Sequence, residues 1–181
     1  MNTRAAGTPL GACTGAKDAL PTHGRARSRD GARIQLGRGM ATSAQQFCDT
    51  IAAAFSEGRT EGLSAHYLYP LTIYTPSGVR IEMTPDQTAK AVFARRAAAL
   101  QAGMKSVRAR VNRVEESERG RIIIHLSWDF LDAVGRPFAR NVMRYFGRRT
   151  EEGALCIEMI EFSEMAFSGV MGIAQAPRTR N

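Results

Sequence analysis

Between Arg121 and Phe130 the residues alternate so regularly that few folds are open to the chain. Ile122, Ile124, Leu126, Trp128 and Phe130 fall on one face of an extended strand, and Ile123, His125, Ser127 and Asp129 on the other, because successive strand side chains point to opposite sides. A strand this long with one wholly apolar face has to be covered on that face by other elements. We therefore read the apolar face as the concave side of a sheet. Its neighbours follow the same logic. Lys105–Val114 alternates Val107, Ala109 and Val111 against Arg108, Arg110 and Asn112, before a polar hairpin at Glu115–Gly120. Asp132–Pro137 is a turn, Ala139–Arg148 a strand, Thr150–Gly153 a turn and Leu155–Phe162 a last strand. In Ala139–Arg148 both faces are mixed, so alternation alone leaves its orientation open.

The first part of the patterned chain reads as helices. Thr42 with Gln45, or Ser43 with Gln46, offers a capping-box start, and Phe47, Ile51, Ala54 and Phe55 recur at helical spacing until Gly58. Thr60–Tyr67 predicts a short second helix whose connection ends at Pro70, and Leu71–Thr75 a first strand. Pro76-Ser77-Gly78 turns the chain into Val79, Ile81 and Met83. Thr84-Pro85-Asp86-Gln87 combines an N-cap, a proline at the first helical position and an acid at the positive helix end. The third helix it opens carries Ala89, Val92, Phe93, Ala97 and Leu100 on one face and closes at Gly103. Three helices followed by long, mostly antiparallel strands predict an α+β domain with its helices on one face of a curved sheet.

A chain of 181 residues, 44% of them hydrophobic, suffices for one core plus tails. We divide it into a disordered basic extension, 1–39, a folded domain, 40–169, and a flexible tail, 170–181. Five of the eight net positive charges lie in 1–39, which is rich in Gly, Ala and Arg and has no apolar period. Met40, just before the first helix, is an alternative start. The extension lacks the interleaved aromatics of a nucleic-acid arm and the continuous apolar run of a secretory signal. No stretch approaches the ~20 apolar residues of a membrane span. The reading is thus a cytoplasmic protein without nucleic-acid or membrane partners. The three cysteines, Cys13, Cys48 and Cys156, form no ligand motif; Cys48 and Cys156 are expected as inert thiols in the core. No phosphate loop, HExxH or EF-hand sequence is present, so neither a nucleotide nor a metal cofactor is expected.

His125, Ser127 and Asp129 contain the residue types of a hydrolase triad, but not its geometry. Residues two apart on a strand stand roughly 6.6 Å from each other, whereas a nucleophile and its base need about 2.6–3.2 Å. They also lie opposite the apolar face.

The run Glu57–Gly78, EGRTEGLSAHYLYPLTIYTPSG, followed by the helix start at Thr84, resembles the opening of the nuclear transport factor 2-like (SnoaL-like, ketosteroid isomerase-like) superfamily. The resemblance covers roughly Thr42 to Gly169. It implies a cone-shaped α+β barrel with an internal pocket, and a homodimer formed through the sheet. Matching His66–Gly78 to the isomerase branch puts that branch's aspartate base on Thr75, its tyrosine donor on Ile51 and its second acid near Asn141. The same register makes Ile124, Leu126 and Trp128 the apolar wall, turns Asn141 and Met143 inward, and lets Phe162 close the far side. With Phe47, Phe55 and Tyr74 these residues make up the expected pocket. Threonine is no general base and isoleucine donates no hydrogen bond, so isomerase chemistry is not expected. His66 and Tyr67, near the mouth, are the candidates suggested by the superfamily's dehydratases. Among the acids Glu82, Glu158, Glu161 and Glu164, with Arg80, Arg140 and Arg144 near them, Glu158 shares strand parity with Ile160 and Phe162. It is either a buried base or a half-exposed sheet residue. The functional expectation is a small apolar ligand in the pocket or a homodimeric interaction module. The alternative is a lyase, isomerase or hydrolase acting on a hydrophobic carbonyl or polyketide-like substrate.

Overall fold

The computed structural model describes residues 38–167, apart from 60 and 118. Expectations for the leader before residue 38 and for the tail from 168 onward lie outside the described residues. The elements run α1 (Arg38–Glu57), a 3₁₀ helix (Glu61–His66), β1 (Tyr67–Thr75), β2 (Gly78–Glu82), α2 (Pro85–Gln101), β3 (Ser106–Glu116), β4 (Arg121–Leu131), β5 (Pro137–Arg149) and β6 (Leu155–Glu164). The six strands form one mixed, curved, unclosed sheet in the order β2-β1-β6-β5-β4-β3, with two α-helices against it. This is the α+β cone predicted from the sequence. β1 joins β6 in parallel, and every other pairing is antiparallel.

The concave face is the one alternation selected. Ile122, Ile124, Leu126, Trp128 and Phe130 are all buried, and β5 contributes Asn141, Met143 and Tyr145 to the same side. The long β4 is paired along its full length on both sides. α1 lies along β3 with Ala44, Cys48, Ile51, Ala52 and Phe55 buried, and its Phe55 packs against Trp128 and Phe130 of this face.

α1 also protects the open edge of the sheet. On β3, the Val111 N–H donates to Gln45 Oε1 at 2.8 Å, Gln45 Nε2 donates to the Ala109 carbonyl at 3.1 Å, and the Val107 N–H donates to Ser56 Oγ at 2.8 Å. Side chains of the helix thereby take the hydrogen bonds that another strand would otherwise find, which blunts an edge prone to association. Gln45 thus has a different job from the capping-box role its sequence suggested, since α1 already begins at Arg38. The register of β3 shifts between Val111 and Arg113, beside this contact.

The local chemistry before α2 is the one read from the sequence. Thr84 accepts from the Gln87 N–H at 3.3 Å, and the Gln87 side chain returns the bond to the Met83 N–H at 2.6 Å. Three other expectations are corrected. The second helix is a single 3₁₀ segment, and Tyr67 already belongs to β1, which continues through a cis Tyr69–Pro70 bond rather than starting after it. The apolar face foreseen for α2 is not buried as a face: Phe93 is 63% and Leu100 42% exposed, while Thr88 and Ala99 are its buried residues. Cys48 is a buried free thiol pushed up to about 12, chiefly by burial. Cys156 is buried too, but disulfide-bonded rather than a thiol.

Candidate functional site

The concave face, α1, the 3₁₀ helix and α2 enclose a cavity of about 30 Å³. The 3₁₀ helix supplies Leu63, β1 supplies Tyr67, Leu71 and Ile73, and α2 supplies Thr88, Ala91, Val92 and Arg95. Of the pocket expected from the sequence, the structure brings Ile51, Phe55, Trp128, Asn141, Met143 and Phe162 to this cavity, together with Tyr67. Ile124 and Leu126 are completely buried on the same face but do not reach its lining. Phe47 packs edge-on against His66 at 5.4 Å, and neither lines the cavity.

Tyr74 and Thr75 are elsewhere. Tyr74 points to the outer face, 43% exposed, and Thr75 sits at the β1–β2 turn, donating to the Gly78 carbonyl at 2.9 Å. The inward residues of β1 are Leu71 and Ile73. The isomerase register therefore finds no acid or base on this strand. Glu158 is displaced by a bulge: Phe146 opposes Met159 while Gly147 opposes Ile157, leaving Glu158 as the extra residue. An extra residue resets the alternation, so the parity with Ile160 that pointed inward does not hold. Its carboxylate instead meets Arg148 Nε at 3.1 Å, with the side chain 41% exposed.

The cavity is more polar than the expected apolar pocket. Glu82, 2% exposed, has both oxygens taken: Arg80 donates to one at 2.9 Å and the Thr88 hydroxyl to the other at 2.5 Å. Arg95 reaches in from α2 with its guanidinium carbon 5.2 Å from the centre of the Phe162 ring, a cation–π distance. Burial lowers the Arg95 proton affinity from its ordinary value, against the opposing pull of Tyr67 and Glu82. The phenols of Tyr67 and Tyr145 lie beside one another, and burial raises both far above the usual tyrosine range, so both stay neutral. Asn141 accepts the Ala166 N–H on Oδ1 at 2.7 Å. Since an N–H can only donate, this fixes the amide and leaves its NH₂ end for other contacts. The indole N–H of Trp128 is buried without a hydrogen-bond partner among the described residues.

Sequence reasoning missed Arg95, Thr88 and Tyr145, and saw Glu82 merely as one acid among four. Tyr145 was legible in principle, since it shares parity with Asn141 and Met143. Arg95 was not, because α2 has no strong apolar face against which to orient it.

On the outer face, Asp129 is opposed across the ladder by Arg108 and Arg140, which hold its two oxygens at 3.4 and 2.7 Å. His125 is bonded to Glu115 at 2.8 Å. These partners complete the case against a triad. Burial pushes the Asp129 carboxyl upward, but the two arginines outweigh it and hold it below its ordinary 3.8. Burial likewise lowers His66 below its ordinary 6.5. A group whose folded pKa is depressed contributes stability above its unfolded value and loses it as pH falls through the folded one. Urea midpoints are therefore expected to fall in two stages, first below pH 6.5 through His66 and then below 3.8 through Asp129. Asp129→Asn is expected to cost about 1–2 kcal/mol at pH 7 and to flatten the second stage. An unchanged midpoint at pH 7 would show that the arginine pairs contribute nothing.

Among the described residues, no three His, Cys, Asp or Glu side chains come together as metal ligands, and no helix is long and apolar enough to cross a membrane. The sequence profile of the family described as NTF2-like protein (DUF6841) matches residues 42–160. The chain belongs to this family. Its fold is similar to that of Aln2 from a Streptomyces species, with a TM-score of 0.55, 16% identity, and coverage of 70% of this chain and 91% of that one. It is also similar to an NTF2-like protein of unknown function from Shewanella oneidensis, at TM-score 0.52 and 12% identity, covering 68% of this chain and 98% of that one. A putative calcium/calmodulin-dependent protein kinase II association domain from Xanthomonas campestris matches at TM-score 0.52 and 14% identity, over 77% of this chain and 96% of its own. At these identities the likeness is one of fold. A comparison with curated proteins gives no match.

Proposed function

We propose that this NTF2-like domain is a non-catalytic interaction module whose cone is filled by its own side chains and which self-associates through the outer face of its sheet. The observation that carries this reading is the size of the cavity, about 30 Å³. A cavity that binds benzene measures about 150 Å³, so a steroid-sized or polyketide-sized ligand has no room. The interior is occupied by Phe55, Trp128, Tyr67, Tyr145 and Arg95 instead. Catalysis is likewise unsupported, because Glu82, the carboxylate among the described residues lining the cavity, is held by Arg80 and Thr88.

The outer face favours self-association. Its charges are largely compensated: Asp129 is shared by Arg108 and Arg140, Arg144 meets Glu161 and Arg148 meets Glu158. Between them stand apolar groups, Phe146 and Val142 half-buried, and Tyr74, Val79 and Ile81 exposed toward the β2 edge. A largely paired, mixed surface can meet its own copy across a two-fold axis with little net repulsion. The association domain among the similar folds lends this reading a precedent of fold. Sedimentation of the full chain is expected to give a dimer, and Phe146→Glu to shift it to monomer with an unchanged circular dichroism spectrum. A parent protein that sediments as a monomer across micromolar concentrations would overturn the proposal.

A further inference from the structure

The two edges of the sheet differ. On β3, Gln45 and Ser56 of α1 take the outward backbone groups. At the opposite edge stands β2, and among the described residues no strand pairs with its free side. The two-residue turn Pro76-Ser77 makes Thr75 and Gly78 the first bonded pair of the β1–β2 ladder. Bonded and unbonded pairs alternate in an antiparallel ladder. Arg80 and Glu82 therefore bond to β1, while Val79 and Ile81 turn their N–H and carbonyl groups to the open side. Beyond them the Met83 N–H is taken by Gln87 Oε1, which limits the open stretch to Gly78–Glu82. Folded proteins commonly guard such an edge with lysine, proline or a bulge. This one runs in unbroken register and carries Val79 and Ile81, 57% and 60% exposed.

We propose that the β2 edge is a second self-association site, at which the β2 strands of two copies pair antiparallel about a two-fold axis at Ile81 and join their sheets into one. Because α1 seals β3, the edge that a second copy offers is its own β2. The contact is then isologous and closes at two copies. Charge sets the register. With Ile81 opposite Ile81 of the second copy, Arg80 of each chain faces Glu82 of the other, and Val79 faces Met83. Opposite charges across a ladder are favourable and like charges unfavourable, and an axis centred on Arg80 would set two arginines against each other. Arg80 and Glu82 already meet within each chain at 2.9 Å, so the pairing places two compensated pairs side by side with their signs alternating. On the outer side it covers Val79, Ile81 and Met83, each more than half exposed. Five residues a side fall well short of the roughly 20–30 of a standard interface, so the contact is weak and forms at high concentration. It lies on the edge of the sheet and does not depend on the outer-face contact proposed above.

Full-length Phe146→Glu protein, in which the outer-face contact is removed, isolates the edge. Its sedimentation from micromolar to several hundred micromolar is expected to pass from monomer to dimer and stop there. Adding Ile81→Lys or Ile81→Glu should weaken this step at least tenfold, because like charges then face each other at the axis. Mixing the two variants in equal amounts should restore it, since lysine then faces glutamate. A residue that does not meet its own copy is not rescued in this way. Ile81 is exposed, so both variants should keep the parent circular dichroism spectrum. Val79→Pro removes an outward N–H without touching the β1 ladder, and serves as a second weakening variant if they do not. No association at the highest concentration would overturn the proposal and leave the edge to a different strand. Association unchanged by the Ile81 charges, or a mass that grows past two copies, would overturn it as well. If Phe146→Glu leaves the parent dimer intact, the outer-face reading fails, and the Ile81 variants decide whether the edge makes that dimer.

Discussion

Replacing Trp128 with alanine is expected to lower the unfolding free energy by about 3–5 kcal/mol, the range for deleting a large buried aromatic. Trp128 is 6% exposed and stands edge-on to Phe55 at 5.5 Å, and Phe55 in turn meets Phe130 at 6.3 Å. Removing the indole opens a void at one end of this aromatic row, beside Phe55 of α1. The neighbours cannot collapse into it, because Ile124, Leu126 and Asn141 are fixed by ladder pairing on both sides of β4. The companion change, Trp128→Phe, should cost much less. It keeps most of the ring and removes a buried N–H that has no partner among the described residues, and deleting an unsatisfied donor offsets part of the lost packing. Urea unfolding followed by circular dichroism separates the two, provided the slope m is unchanged. A loss below about 1 kcal/mol for Trp128→Ala would mean that the indole is not packed tightly against Phe55.

Gly147→Ala is expected to cost about 3 kcal/mol, far more than an exposed strand glycine would. A Cβ at this position would lie 2.2 Å from the Cys156 carbonyl oxygen and 3.2 Å from Ile157 Cδ1. The obstacle is backbone, not a flexible side-chain end, so the strands themselves would have to part. This close approach is produced by the β5–β6 bulge, where Phe146 opposes Met159 and Gly147 opposes Ile157. Glycine is found where two backbones come this near. Relief of the clash would require a shift of β6 toward regular register, which would turn Glu158 inward and Ile157 outward. A variant as stable as the parent would show that β6 accepts that register at no cost. As a control, Gly62→Ala has open space around its Cβ and should change stability by less than about 0.5 kcal/mol.

What was readable in the sequence is what short-range physics controls. Strand alternation in Arg121–Phe130 identified the concave face, and Thr84-Pro85-Asp86-Gln87 placed the start of α2, because both signals lie within ten residues of their cause. The order of elements led to the superfamily. The same local signals misled wherever a distant segment had a better use for a residue. Gln45 looked like half of a capping box, but its amide is used to close the edge of β3, sixty-odd residues away. Glu158 had inward parity until the bulge opposite Gly147 removed it, and a bulge is a property of two strands rather than one. Thr75 was placed in the pocket by a register borrowed from a distant branch, and the β1–β2 turn took it out.

The sequence by itself determined the elements, the inward faces of β3 and β4 and membership of a cone-shaped α+β fold. Each of these depends on periodicity and capping along one stretch of chain. Tertiary structure alone decided how much room the cone retains and what chemistry lines it. Cavity volume is the small remainder after Phe55, Trp128, Tyr67, Tyr145 and Arg95 have packed from five separate elements, and no single element carries that remainder in its own pattern. The polarity of the interior has the same origin. Arg95 on α2 and Glu82 on β2 look like surface charges in their own segments, and they become interior groups when α2 closes over the sheet.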